Sequence, residues 1–122
     1  MLELNLSVLE PFVTGPHSPD RARPISKLKE EVAREGFPER ITAALIGSCT
    51  NSSYEDIMRA ADVARQAKAA GLRAVVPLLV TPGSDQVYAT ILRDGFVEAL
   101  EAIGARVMAN ACGPCIGQWR RD

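Results

Sequence analysis

From residue 41 to residue 110 short apolar runs alternate with longer stretches of helical period, and this rhythm restricts the fold more than any other feature. ITAALIG (41–47), LRAVVPLLV (72–80) and ARVMAN (105–110) read as strands. The first is apolar enough to be buried on both faces, and Pro77 in the second suggests an edge or a bulge. Between the first two, Ser52 followed by Glu55 forms a capping-box pattern, Ile57, Ala60, Ala61, Ala64 and Ala67 supply a small-residue face, and Gly71 ends the helix. Between the second and third, Ser84 is a cap for a helix through Val87, Ile91 and Leu92 that resumes past Gly95 as FVEALEAIG. Strands and helices in alternation need crossover connections. The expected class is therefore α/β, a parallel β-sheet with helices on both faces.

The first forty residues lack that rhythm. LELNLSVL alternates briefly, as an edge strand would, before the turn-rich TGPHSPDRARP. SKLKEEVAREG, from Ser26, then places Leu28 and Val32 one helical turn apart and ends at Gly36, a short amphipathic helix. We divide the chain into residues 1–40, an N-terminal edge strand, connector and short helix, and residues 41–122, an α/β region. With 122 residues and 47% hydrophobic content, one domain overall is the expectation.

Charge and cysteine content narrow the chemistry. Fourteen basic side chains against 15 acidic ones give no general attraction to nucleic acid or to an anionic membrane. No apolar run approaches the roughly 20 residues that cross a bilayer. Three cysteines, an odd number, suit reduced intracellular chemistry better than a closed disulfide framework, and a cytoplasmic location is expected.

Their positions matter more than their number. Cys49 follows the first strand, and Cys112 and Cys115 follow the third, so all three fall on the rim where parallel sheets collect ligands. Three readings remain open. Structural zinc prefers four ligands, and the only histidine, His17, lies in the proline-rich connector and reads as a surface side chain. A Cys-Gly-Pro-Cys redox dithiol lacks a following helix to depress its thiol pKa. An iron–sulfur cluster with three cysteine ligands would leave one iron open as a Lewis acid.

Three separated blocks, LIGSCTNSSYEDI (45–57), TPGSDQ (81–86) and ANACGPCIGQW (109–119), together with LNLSVLEPFVTGPHSPD, resemble the aconitase family along essentially the whole chain. Homoaconitase and the large subunit of isopropylmalate isomerase are similar around Gly-Ser-Cys-Thr-Asn, but the ANACGPCIGQW block resembles aconitase more. The resemblance implies an aconitase-type α/β/α domain in which Cys49, Cys112 and Cys115 ligate a [4Fe–4S] cluster. It further implies a hydro-lyase of the tricarboxylic acid cycle that isomerises citrate and isocitrate through cis-aconitate, located in the mitochondrial matrix if the parent is eukaryotic. The family's serine base, its substrate-clamping arginines and its further acid–base residues match no position here, so no catalytic residue is assigned. The chain then reads as an internal segment whose partners are the missing domains of the same enzyme, inactive alone. A stand-alone module with zinc-binding or redox cysteines is the alternative.

Around these cysteines, Ser48, Thr50 and Asn51 either tune a cluster by hydrogen bonding or merely cap the next helix. Gly113 and Pro114 shape a tight turn and Asn110 ends the third strand, while Trp119 reads as packing for a missing domain. Arg59, Arg65, Lys68 and Arg73 read as a solvated helix face.

Overall fold

The computed structural model describes residues 3–118, so Trp119 lies outside the described residues. The chain divides into two compact units, Met1–Arg40 and Ile41–Asp122.

In the first unit the expected edge strand at the N-terminus does not form. The Asn5 side chain accepts the Ser7 N–H at 3.0 Å and bends Leu6–Val8 into a 3-10 turn. Leu4, Leu6 and Val8 stay 70%, 71% and 76% exposed, so their alternation meets no sheet that could bury it. Pairing falls instead on β1 (Phe12–Thr14) and β2 (Ala22–Pro24), antiparallel, with the proline-rich connector and His17 as their loop. Helix α1 (Leu28–Glu35) follows a 3-10 turn and stops at Gly36, whose φ of 69° is the left-handed conformation that a glycine accepts most readily. Buried Arg23 is paired with Glu31 at 2.5 Å.

The second unit realises the α/β alternation. Its elements are β3 (Ala44–Gly47), α2 (Tyr54–Ala69), β4 (Leu78–Thr81), α3 (Asp85–Arg93), α4 (Phe96–Glu101) and β5 (Ala105–Val107). The strands form a parallel sheet in the order β3-β4-β5, with Ile46 opposite Val80 and Val80 opposite Val107. Strand alternation sends Ile46, Leu78, Val80, Ala105 and Val107 to one face, where they join Ile57, Ala61 and Ala64 of α2, Ile91 of α3 and Leu100 of α4 in a single core. Burying Ile57, Ile91 and Leu100 contributes about 2–3 kcal/mol each. The helices of this unit thus form one layer, over that face. Leu45, Leu79 and Arg106 belong to the opposite face.

Local details depart from the sequence reading for physical reasons. Residues 72–77 stay outside the sheet, and β4 begins only after Pro77, whose carbonyl accepts the Ala44 N–H at 2.8 Å. β4 is nevertheless the central strand rather than an edge, because its proline precedes the first paired residue and removes no ladder donor. β3 is half-buried, not buried on both faces. The capping box of α2 is Ser53 with Asp56, one residue beyond the expected Ser52 and Glu55. Ser84 caps α3 as expected, its hydroxyl accepting the Val87 N–H at 3.1 Å, and Gly95 separates α3 from α4 in a left-handed turn. Among the described residues no helix is long and apolar enough to cross a membrane.

Candidate metal centre

Parallel strands all point the same way, so β3, β4 and β5 deliver their following loops to one rim, and α2 and α3 begin there. The β3 loop is the most constrained. Gly47 has φ of 150° and lies opposite Thr81, so that a Cβ on it would come within 2.6 Å of the Thr81 carbonyl oxygen. No residue but glycine fits that approach. Ser48 follows with φ of 80°, a left-handed conformation unusual for a residue with a side chain. Its N–H donates to Thr81 Oγ1 at 3.2 Å, and its carbonyl accepts the Ser52 hydroxyl. Ser52 in turn accepts the Gly83 N–H on its own carbonyl at 3.1 Å, tying the loops after β3 and β4 together. Ser52 and Thr81 are fully buried, and neither was singled out in this role from sequence.

Cys49 emerges from this turn with its thiol exposed, Sγ 3.8 Å from Thr50 Oγ1. Thr50 N–H reaches back to Ser48 Oγ at 3.5 Å, so the Ser48 hydroxyl serves the turn itself, while the helix cap is Ser53. On the far side of the sheet the Met108 N–H donates to the Val80 carbonyl at 2.8 Å and carries the chain one residue past β5 alongside β4. The chain then folds back. A 3-10 turn, Pro114–Ile116, lies against β3, and Gln118 N–H closes the loop on the Gly113 carbonyl at 2.8 Å. The Cys115 thiol donates to the Cys112 carbonyl at 3.1 Å. Cys112 and Cys115 are free and exposed, like Cys49.

The structure therefore brings the segments bearing Cys49, Cys112 and Cys115 to one rim. Among the described residues it closes no set of three His, Cys, Asp or Glu side chains on a single point. His17 belongs to the other unit. The donor set nonetheless suits an iron–sulfur cluster: exposed thiols are soft ligands, and three of them leave one position without a protein ligand.

Beside the rim, Tyr54 donates to Asp94 at 2.9 Å, and Arg93 pairs with the same carboxylate at 2.7 Å, linking the start of α2 to the α3–α4 junction. The bonds from Arg93 and Tyr54 hold Asp94 below the usual carboxylate range, and the Asp94 bond pushes the Tyr54 phenol up. Asp56 is likewise lowered, first by the Ser53 hydroxyl and then by the Ser53 N–H. Arg59 pairs with Glu55 at 2.6 Å on the solvated face of α2, and Arg65 lies over the Phe96 ring, 5.3 Å from its centre.

Comparison with known proteins agrees with this arrangement. The sequence profile of the aconitase family (aconitate hydratase) matches residues 1–122. The mitochondrial aconitate hydratases of Aspergillus fumigatus and Gracilaria gracilis are 58% and 54% identical, and the mitochondrial homocitrate dehydratase of Saccharomyces cerevisiae is 51% identical. Each alignment covers 100% of this chain but 16% of the relative, so the chain spans about a sixth of these proteins. The holo-form crystal structure of Thermococcus kodakaraensis aconitase X superposes with a TM-score of 0.52 and 28% identity, over 71% of this chain and 22% of that one. A parallel sheet whose rim carries the three cysteine segments, together with a family profile that matches from the first residue to the last, shows that this chain belongs to the aconitase family.

Proposed function

We propose that this chain is the part of an aconitate hydratase that holds its [4Fe–4S] cluster, with Cys49, Cys112 and Cys115 as the ligands. The observation that carries the reading is the return of the Pro114–Ile116 turn to β3, the strand that delivers Cys49. When bound, such a cluster supplies an iron without a protein ligand, a Lewis acid for a hydroxyl and an adjacent carboxylate. The chain's own residues contribute support. Thr81 and Ser52 fix the turn before Cys49, and the Gly113–Gln118 bond closes the loop bearing Cys112 and Cys115.

The base and the groups that bind substrate carboxylates are assigned to other parts of the enzyme, so the chain alone is inactive. The substrates of the whole enzyme are citrate and isocitrate. Homocitrate is the specific alternative, because a homocitrate dehydratase is nearly as similar as the aconitate hydratases. A mitochondrial location, rather than the cytoplasmic one expected from cysteine usage, has the support of the relatives' names.

Anaerobic reconstitution with ferrous iron and sulfide tests the ligand set. About four irons and four sulfides per chain are expected, with uptake abolished in Cys49→Ser, Cys112→Ser and Cys115→Ser. Uptake of a single zinc ion in preference to iron, or iron uptake indifferent to all these substitutions, would refute it.

A further inference from the structure

We infer that Thr81 and Ser52 are positioning residues for Cys49, and that their hydroxyls set how firmly this site retains its metal group. The inference rests on the cluster reading above but concerns residues that ligate nothing. A buried hydroxyl costs stability unless it finds a partner, and both of these are spent on the backbone of one residue. Thr81 Oγ1 accepts the Ser48 N–H at 3.2 Å, and the Ser52 hydroxyl donates to the Ser48 carbonyl. Ser48 is thereby held on both sides in a left-handed conformation that residues with a side chain otherwise avoid. Such a conformation persists only where its surroundings over-determine it, and here the next residue along the chain is Cys49.

The anchoring is continuous with the sheet. Gly47 approaches the Thr81 backbone too closely for any side chain, and Gly83 N–H binds the Ser52 carbonyl, where a Cβ on Gly83 would lie 3.1 Å from the same oxygen. Cys49 therefore follows a residue whose N–H is held from β4 and whose carbonyl, in the peptide leading into Cys49, is held by Ser52, while its own thiol stays exposed. A ligand presented in one orientation loses less freedom on binding and releases its metal more slowly than one on a free loop. The hydroxyl of Thr81, rather than its methyl group, carries this effect.

Two substitutions separate hydroxyl from shape: Thr81→Val keeps the volume and removes the acceptor, and Thr81→Ser keeps the acceptor. Two readouts follow in the full chain. In the metal-free protein, iodoacetamide labelling of Cys49 relative to Cys112, resolved by peptide mass spectrometry, is expected to change at least about threefold in Thr81→Val and to return to the wild-type ratio in Thr81→Ser. In the reconstituted protein, loss of iron to a chelator is expected to accelerate about tenfold in Thr81→Val and to stay at the wild-type rate in Thr81→Ser. Ser52→Ala, which removes the second anchor, is expected to shift the labelling ratio in the same sense and decides the matter should Thr81→Val not fold. Unchanged labelling and iron loss in Thr81→Val, or a Thr81→Ser protein that behaves like Thr81→Val, would overturn the inference. Wild-type protein that takes up no iron would refute the cluster reading instead, while the labelling ratio still decides whether Cys49 is held.

Discussion

Replacing Gly47 by alanine tests the tightness of the rim directly. At φ of 150° a residue with a Cβ pays roughly 1–3 kcal/mol in backbone strain alone. The added carbon would also lie 2.6 Å from the Thr81 carbonyl oxygen and 3.0 Å from its nitrogen. Both atoms belong to a paired central strand, so relief requires β3 and β4 to separate, and overpacking of this kind costs about 1–3 kcal/mol more. The sum is about 2–6 kcal/mol. Gly71 is the control: its φ is 73°, and a Cβ there would meet nothing within 4 Å. Gly71→Ala should therefore lose only the left-handed penalty, about 1 kcal/mol. Urea unfolding followed by circular dichroism on both variants measures the difference. If Gly47→Ala falls within about 0.5 kcal/mol of Gly71→Ala, the close approach of Gly47 to Thr81 is not a constraint and the argument for a rigid turn before Cys49 fails.

Ser53→Ala removes the side of the capping box that accepts the Asp56 N–H and is expected to cost about 1 kcal/mol in the same urea assay, whereas Glu55→Gln, at the frame read from sequence, should lose only its exposed pair with Arg59, about 0.3–0.5 kcal/mol. The Tyr54 phenol is raised first by its bond to Asp94, so a tyrosinate absorbance titration, taken as the difference from Tyr54→Phe, should show it ionising above the ordinary range and shifting downward in Asp94→Asn. Since its folded value is raised, the contribution to stability is complete below the unfolded value near about 10 and is lost as pH climbs through the folded one.

Much of this architecture was legible in the residues themselves, because it rests on local period and local chemistry. Strand and helix positions follow from apolar spacing, Gly36 and Gly95 stand at helix ends, Ser84 caps α3, and the cysteines fall just beyond strand ends. The misread frames have a common cause in competition between neighbours. Ser52 and Ser53 are both chemically fit to cap α2, and the choice went to Ser53 because the Ser52 hydroxyl is drawn to the Ser48 carbonyl. LELNLSVL has the period of a strand, yet an Asn5 contact two residues away folds it into a turn, since period 2 means nothing without a sheet to pair with.

Hydrophobic period and crossover geometry leave few arrangements for residues 41–122 other than a parallel α/β fold with three thiols near its carboxyl rim, and both are written in the order of the residues. Which residues hold the rim rigid depends instead on contacts between segments distant in the chain. The Thr81 hydroxyl and the Ser48 N–H it accepts are 33 residues apart, and no local pattern joins them. Their pairing exists because β4 lies beside β3 in one register, with Thr81 opposite Gly47, and a slip of one residue would turn the hydroxyl to the other face of the sheet.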